Sequence, residues 1–493
     1  MEKKGEINEV KNQLDQTKAP FEEAVFGYIN KKRTAFHMPG HARGRIVPEE
    51  LKKFFGENIY LSDLTEVEGL DYLHKPQSVV KEAQELAAEA FGAENSFFLV
   101  NGSTVGVVTM MLSAVKPKEK LILQRNSHRA TIAGLILGQI EPVYLQSNMN
   151  SELGILTGID PEDLKNCIIN NPDTKALLLT SPNYYGMSED VETLINIAHE
   201  NNLSVIVDEA HGVHLHFNPQ LPISAVDLGA DMVTQSIHKT LPSLTQTSIL
   251  HLNNQRIDKY KVQTLLTYLQ TSSPSYLFMV SIDAVRRQMA LNGKSIIDKA
   301  INTANEAREK INKFKKIKTF GKEIIGKYSV YGFDPTKLTI VMKDTGFSGF
   351  ETEKILNQKF NIEIELADIN NILCFITAGN DEKDIDKLIH ALEYFENNSK
   401  ELQKNGLFKL PELPPLRLLP SDVFSMKYEF VPLKEAKDRI SYDVICPYPP
   451  GLPVVAPGEQ ITEEVIKYIH KLFDNGAEVQ GLNIEEKIKV VLN

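Results

Sequence analysis

Cysteine is scarce in this chain of 493 residues: Cys167, Cys374 and Cys446 are the only three. They are far apart and none is in a CxxC pair, which excludes the usual zinc and dithiol redox sites and leaves buried free thiols as the expectation. No apolar run reaches the roughly eighteen residues that span a bilayer. The opening segment MEKKGEINEVKNQLDQTKAP has no apolar stretch to serve as an export signal, so a cytoplasmic location and no membrane partner are expected. Positive charge is not in excess. A formal net charge of −11 argues against nucleic acid as the main partner and is compatible with a cationic small substrate. There is no GxxxxGK[ST] phosphate loop, which removes the nucleotide-hydrolysing reading of the letters DEAH at 208–211.

What is present is ordinary globular material, 42% apolar and 24% charged, enough for two or three domains. From about 80 to 250 helical and strand-like blocks alternate. The helical SVVKEAQELAAEAFG (78–92) is followed by the short apolar runs SFFLV (96–100), KLILQ (120–124), EPVYL (141–145), KALLLT (175–180) and LSVIVD (203–208). HRATIAGLILG (128–138) and SEDVETLINIAHENN (188–202) read as helices between them, the pattern of an α/β domain with a mostly parallel sheet. A long helix over about 275–315 leads to a smaller α+β region. That region holds KLTIVM (337–342), a helix near 349–360, NILCFIT (371–377) and a closing helix DEKDIDKLIHALEYFENN. The prolines of KNGLFKLPELPPLRLLPS (404–421) mark a linker, and CPYPPGLPVVAPGE (446–459) with ITEEVIKYIHKLFDNG marks a small carboxyl-terminal domain. The expected division is 1–30 as an N-terminal segment, 31–285 as the major domain, 286–400 as a small α+β domain and 401–493 as the last domain.

Three motifs carry chemistry. In VIVDEAHGVHLHF (205–217) a strand ends in Asp208, Glu209 and His211, where open α/β sheets build their sites. Thirty-one residues further on, TQSIHKTLPSLTQTS sets Ser236, His238 and Lys239 between apolar segments, where burial and nearby charge would free a lysine amine for attack on a carbonyl. NGSTVG (101–106) opens a helix after a strand, with Gly102 allowing a tight approach and Ser103, Thr104 and backbone N–H groups able to hold a phosphate. Together they supply a phosphate cup, an acid for a pyridine nitrogen and a lysine for an aldehyde, the needs of pyridoxal 5′-phosphate. His128, in LQRNSHRA, reads either as a ring-stacking residue or as a helix cap. His214 and His216 alternate on a short segment, but without a further ligand cluster no metal site is expected.

These segments, in this order, resemble the ornithine/lysine/arginine decarboxylase family of pyridoxal phosphate enzymes. The likeness runs from AFHMPGHARG (35–44) and EVEGLDYLHKP (66–76) through the three motifs and RNSHR to TSSPSY (271–276) and PPGLPVVAPGE (449–459), nearly the whole chain. The resemblance implies an aspartate aminotransferase-like (fold type I) major domain, a small α+β domain and an additional C-terminal α+β domain. It makes Lys239 the Schiff-base lysine, Asp208 the partner of the pyridine nitrogen and His128 the residue stacked on the ring, with Ala210 on the opposite face. Ser103, Thr104, Ser236 and His238 match the phosphate side, and His211 is expected near the cofactor beside Asp208. TSSPSY looks like the segment that reaches a neighbouring subunit's cofactor, which implies a homodimer or higher homo-oligomer.

The implied activity is decarboxylation of a basic L-amino acid, a step of polyamine biosynthesis, with Lys239 and His128 at the chemistry. Arginine, giving agmatine, comes first because the chain resembles the compact members that lack the family's wing domain. Lysine and ornithine are the alternatives, then an aminotransferase or lyase reaction on the same cofactor, then a non-catalytic regulatory paralogue. Two departures bear on the substrate: Gly40-His41-Ala42-Arg43-Gly44 stands where the family commonly has GHKxG, and Tyr72 stands where its GLDxLH stretch commonly has a second aspartate.

Overall fold

The five apolar runs between 96 and 208 become strands of one seven-stranded sheet, completed by two strands not singled out from the sequence. The strands are β1 (Asn95–Leu99), β2 (Lys120–Gln124), β3 (Glu141–Leu145), β4 (Ala176–Thr180), β5 (Ser204–Asp208), β6 (Met232–Ser236) and β7 (Ser248–Leu252), in the spatial order β1-β7-β6-β5-β4-β2-β3. Strands β3, β2, β4, β5 and β6 are mutually parallel, and β7 runs antiparallel to both β6 and β1. The computed structural model describes residues 13–253, 255–401, 411–447 and 453–492. Residues 1–12 of the expected N-terminal segment, much of the start of the expected linker (402–410) and part of the proline-rich motif (448–452) lie outside the described residues.

Parallel strands buried on both faces need apolar residues at consecutive positions, and Leu177 to Leu179 and Val205 to Val207 are all fully buried. Their alternation divides two layers of helices. Leu178 and Ile206 face α3 (Gly102–Ala114) and α4 (Ala130–Gly138), while Leu177, Leu179, Val205 and Val207 face α5 (Val191–Glu200). On that second side, α1 (Pro20–Asn30) and α2 (Val79–Ala90) pack through Phe21, Val25, Val80, Ala83 and Ala87. Asp71 caps α2 from outside: its carboxylate accepts the backbone N–H groups of Gln77, Ser78 and Val80, which are free at a helix start.

A single helix of 36 residues, α6 (Tyr276–Ile311), runs unbroken through 285 and 286. Its first half buries Met279, Ile282, Val285 and Met289 against the large sheet's layer, and its last turns bury Ala304, Ala307 and Ile311 in a second core. That core lies on a four-stranded antiparallel sheet of β8 (Lys318–Thr319), β9 (Lys337–Val341), β11 (Asn371–Phe375) and β10 (Leu366–Ala367), in that order. Helices α7 (Gly349–Phe360) and α8 (Glu382–Asn397) cover it, each started by a capping box, Ser348 with Glu351 and Asp381 with Asp384.

The last region pairs β12 (Tyr428–Pro432) with β13 (Lys487–Val491) and packs helix α9 (Glu463–Asp474) through Val465, Ile466 and Ile469. Pro420 opens a short helix, Pro420–Phe424, at the end of the proline-rich stretch, as proline can at a first helical turn. Among the described residues no helix is long and apolar enough to cross a membrane.

Candidate active site

Strands β2, β4, β5 and β6 all end at the same edge of the sheet, and each delivers a residue of the sequence motifs or its neighbour there. Helix α3 reaches this edge because of one glycine: a Cβ on Gly106 would stand 2.1 Å from the Thr234 hydroxyl, so only glycine lets the helix lie directly on β6. That contact brings the start of α3 to the end of β6, where the Ser236 hydroxyl donates to the Ser103 hydroxyl at 2.9 Å. Gly102, the glycine expected to allow the approach, has open space around it and instead supplies a positive φ of 73° for the turn into the helix. Ser103 is half-buried and Thr104 exposed, so both hydroxyls are available at a helix N-terminus, where an anion is favoured.

Asp208 closes β5 with its side chain buried. Its only hydrogen bond among the described residues comes from the Ala210 N–H, 3.2 Å from Oδ1. Burial raises its pKa and the Lys239 charge works against that rise. Lys239 stands in the single turn Ile237–Thr240 directly after β6, and its Nζ lies 2.9 Å from Nε2 of His211. Burial lowers the lysine pKa, opposed by Asp208 and Glu365. Burial also pushes His211 well below the usual imidazole range, helped by the positive charges of Lys239 and Lys337. The result is an amine and an imidazole both driven toward their neutral forms, in contact. Nδ1 of His211 is buried without a partner among the described residues.

His128 is half-buried and takes the helix-start position that its sequence allows. Its Nδ1 accepts the Ala130 N–H at 3.2 Å and its carbonyl accepts from Thr131, which caps α4 and leaves Nε2 unused. Burial, then the charge on Lys239, brings its pKa down to about 4. His238 points the other way, its Nδ1–H donating to the Thr247 carbonyl at 2.8 Å. Burial lowers its pKa, and the Thr247 bond partly offsets this. Ala210 is buried between Asp208 and His211. His214 and His216 do not converge: the first meets Asp334 at 2.9 Å and the second Asp227 at 2.9 Å.

Several neighbours come from segments that carry no local motif. Tyr184, in the loop after β4, stacks on His211 with centroids 4.2 Å apart and lies 5.4 Å from Lys239 Nζ. Phe375, the last residue of β11, meets His211 edge-to-face at 5.8 Å. On the adjacent strand Lys337 is fully buried, its Nζ 3.5 Å from the Phe375 ring centre, and burial brings its pKa down to about 8. Glu365 is exposed yet within electrostatic reach of both Lys239 and Lys337. A cavity of about 160 Å³ opens beside Tyr184, walled by Arg125, Asn183, Asp368 and Tyr468.

The two departing segments lie apart from this cluster within the chain. His41 meets Asp63 at 3.2 Å, and Arg43 donates to the carbonyls of Ile29 and Arg33. Tyr72 and His74 donate to the carbonyls of Ser272 and Thr271, which ties GLDYLH to TSSPSY. Thr271, Ser272 and Ser273 remain exposed.

The large sheet, the long helix into an antiparallel domain and the third unit together make a fold shared with solved lysine decarboxylases. The structure of the constitutive lysine decarboxylase of Escherichia coli matches with a TM-score of 0.86 at 21% identity, covering 97% of this chain and 82% of that one. The aspartate aminotransferase-like (fold type I) expectation is corrected here. Ureidoglycine-glyoxylate aminotransferase of Bacillus subtilis reaches a TM-score of only 0.52, at 13% identity, and covers 66% of this chain and 86% of that one. The physical reason is that an aminotransferase plan leaves about a third of the chain out, whereas the carboxyl-terminal domain here is bound into the site wall by the buried Arg125–Glu459 pair. The chain belongs to the Orn/Lys/Arg decarboxylase family: the model of the family's major domain matches residues 19–384 and that of its C-terminal domain residues 415–487. Among its relatives, the arginine decarboxylase of Bacillus subtilis (strain 168) is 39% identical over 471 residues, 95% of this chain and 96% of that protein.

The cofactor of this family, pyridoxal 5′-phosphate, fits the residues present. A buried carboxylate with a single backbone donor, a buried imidazole nitrogen without a partner and two hydroxyls at a helix start are polar groups left open for a ligand.

Proposed function

We propose that this protein is a pyridoxal phosphate-dependent decarboxylase that converts L-arginine to agmatine and carbon dioxide. The observation that carries the reading is the half-buried Lys239 amine, in contact with His211 and within electrostatic reach of Asp208 at the end of the adjoining strand. Arginine is preferred to lysine and ornithine because the relative that matches at full length bears that activity in its name.

Lys239 would hold the cofactor's aldehyde carbon, Asp208 its pyridine nitrogen, and Ser103, Thr104, Ser236 and His238 its phosphate. His128 would lie on one face of the ring and Ala210 on the other, with His211 beside the lysine. Once bound, the cofactor supplies an electron sink for the pair released when the bond from Cα to the carboxylate breaks.

The chain's own groups do the rest. Burial keeps part of Lys239 uncharged, so the amine can attack and can exchange protons with an incoming α-amine. His211, kept neutral, accepts a hydrogen bond from the Lys239 amine at Nε2 across 2.9 Å and so orients it. His128, with a pKa of about 4, is neutral near pH 7 and is a poor acid, which assigns the return of a proton to Cα to Lys239. Tyr184 and Phe375 keep water from the His211 side, and an apolar wall favours departure of neutral carbon dioxide. Glu365, exposed and facing both lysines, is the carboxylate suited to the guanidinium tail.

The same reading makes the enzyme a cytoplasmic homodimer, in which the exposed Thr271, Ser272 and Ser273 of one subunit complete the phosphate side of the other. It keeps the division of the chain at 30/31, 285/286 and 400/401, with α6 as the bridge between the first two folded units.

The test is carbon dioxide release with mass detection of the amine from separate arginine, lysine and ornithine reactions, with a Lys239→Ala control. Agmatine that disappears in the control supports the proposal. Cadaverine or putrescine moves the substrate to lysine or ornithine, a keto acid moves the reaction to transamination, and no product from any of the three refutes it.

A further inference from the structure

Arg125 follows β2 immediately and stands three residues before His128. Its side chain is 6% exposed and its partner Glu459, in the carboxyl-terminal domain, is fully buried. The contact is bidentate: Nη1 donates to Oε1 at 2.6 Å and Nη2 to Oε2 at 2.8 Å, the fork geometry that fixes direction as well as distance. Nη2 also donates to the Val454 carbonyl at 2.9 Å, and Oε2 accepts the Ala456 N–H at 2.8 Å, so the carboxylate is itself held in place. The guanidinium lies 4.8 Å from the Tyr144 ring centre on β3. On the other flank of His128, Arg129 donates to Gln480 at 3.3 Å, again in the carboxyl-terminal domain.

The residues three before and one after His128 are therefore both tied to a unit that begins nearly 300 residues later in the chain. Between them, Ser127 donates to the Gln124 carbonyl and Asn126 accepts from Ser147, so the turn has little freedom except at its two arginines. A buried ion pair is weak ground for stability, since apolar residues of the same volume often do as well, and its known use is to fix one geometry.

We propose that Glu459 and Arg125 are positioning residues: the carboxyl-terminal domain sets the place of the His128 imidazole by gripping the turn that carries it. The inference rests on the proposed role of His128 against the cofactor ring, and it gives the third domain a function in the site beyond closing the fold.

The experiment uses full-length, cofactor-loaded protein and reads the visible circular dichroism of the bound cofactor, which reports how rigidly its ring is held, together with the cofactor dissociation constant and the melting temperature. His128→Ala is the reference and should lose most of the visible dichroism. Glu459→Gln should lose about half of it and weaken cofactor binding about three- to tenfold, with the conservative Glu459→Asp in between. Because Glu459→Gln leaves a buried cation without its counter-charge and can fail to fold, the paired variant Arg125→Met with Glu459→Met removes both charges together. That variant should melt as the parent does and still show the reduced dichroism and weaker binding. A folded pair variant with parental dichroism and affinity overturns the inference while the His128 reading stands. A His128→Ala protein with parental dichroism overturns the His128 reading, and the inference with it.

Discussion

Lys239 Nζ and His211 Nε2 are 2.9 Å apart, and the charge on Lys239 adds to burial in driving His211 toward its neutral form. Lys239→Ala is expected to remove covalent attachment of the cofactor altogether. His211→Leu, which keeps the contacts apolar but removes the hydrogen-bond acceptor of the Lys239 amine, should lower kcat about tenfold with little change in KM. Carbon dioxide release against arginine concentration checks both, and an unchanged kcat in His211→Leu refutes that orienting role.

Asp208 has one hydrogen bond and a burial-raised pKa, with the Lys239 charge opposing the rise. Asp208→Asn keeps shape and burial but cannot hold a proton on a pyridine nitrogen. A fall in kcat of about 10²- to 10³-fold is expected, the size seen when one well-placed electrostatic group is removed. Single-turnover measurement at saturating cofactor separates this from weakened binding.

Glu365→Gln should raise KM for arginine about tenfold while changing kcat little, because a charged hydrogen bond to the substrate tail is lost and the reacting atoms are untouched. An arginine KM equal to that of the parent would remove Glu365 from the substrate pocket.

Lys337 gives a prediction about stability. Its pKa falls from 10.5 to about 8 on folding because the side chain is fully buried. The unfolded chain therefore binds more protons between about pH 8 and 10.5, so this group makes stability rise with pH across that window, and its penalty is fully present below pH 8. Lys337→Met should remove the penalty and gain up to about 3 kcal/mol at pH 7, with the gain shrinking toward pH 10.5. Urea unfolding of both proteins at pH 7 and pH 10 provides the comparison.

The parts of the site that could be read in the sequence are those that end a strand. Asp208 and His128 follow apolar runs whose ends are visible in the letters, while Lys239 was legible from its company, Ser236 and His238, since its strand MVTQS is not an apolar run. Ser103 and Ser236 were legible as separate motifs, but the contact between them depends on Gly106 against Thr234, which no local pattern predicts. Tyr184, Phe375, Lys337 and Glu365 were missed because they reach the cluster from the loop after β4 and from the small antiparallel sheet. Their positions are set by how the second unit docks, and their own segments read as ordinary strand or turn. Lys337 was further hidden because a lysine in an apolar strand normally marks its exposed edge. The aminotransferase plan failed for a related reason: local motifs describe the large sheet well and say little about how a third unit is built into its wall.

The Arg125–Glu459 pair also has a consequence for how the enzyme comes into being. The two residues are 334 positions apart, so during synthesis the turn that carries His128 leaves the ribosome long before the carboxylate that will hold it. The large sheet can assemble with the two arginines of that turn still ungripped, and the last unit to fold then fixes them. On the positioning role proposed for this pair, firm cofactor binding is expected only once the end of the chain has folded.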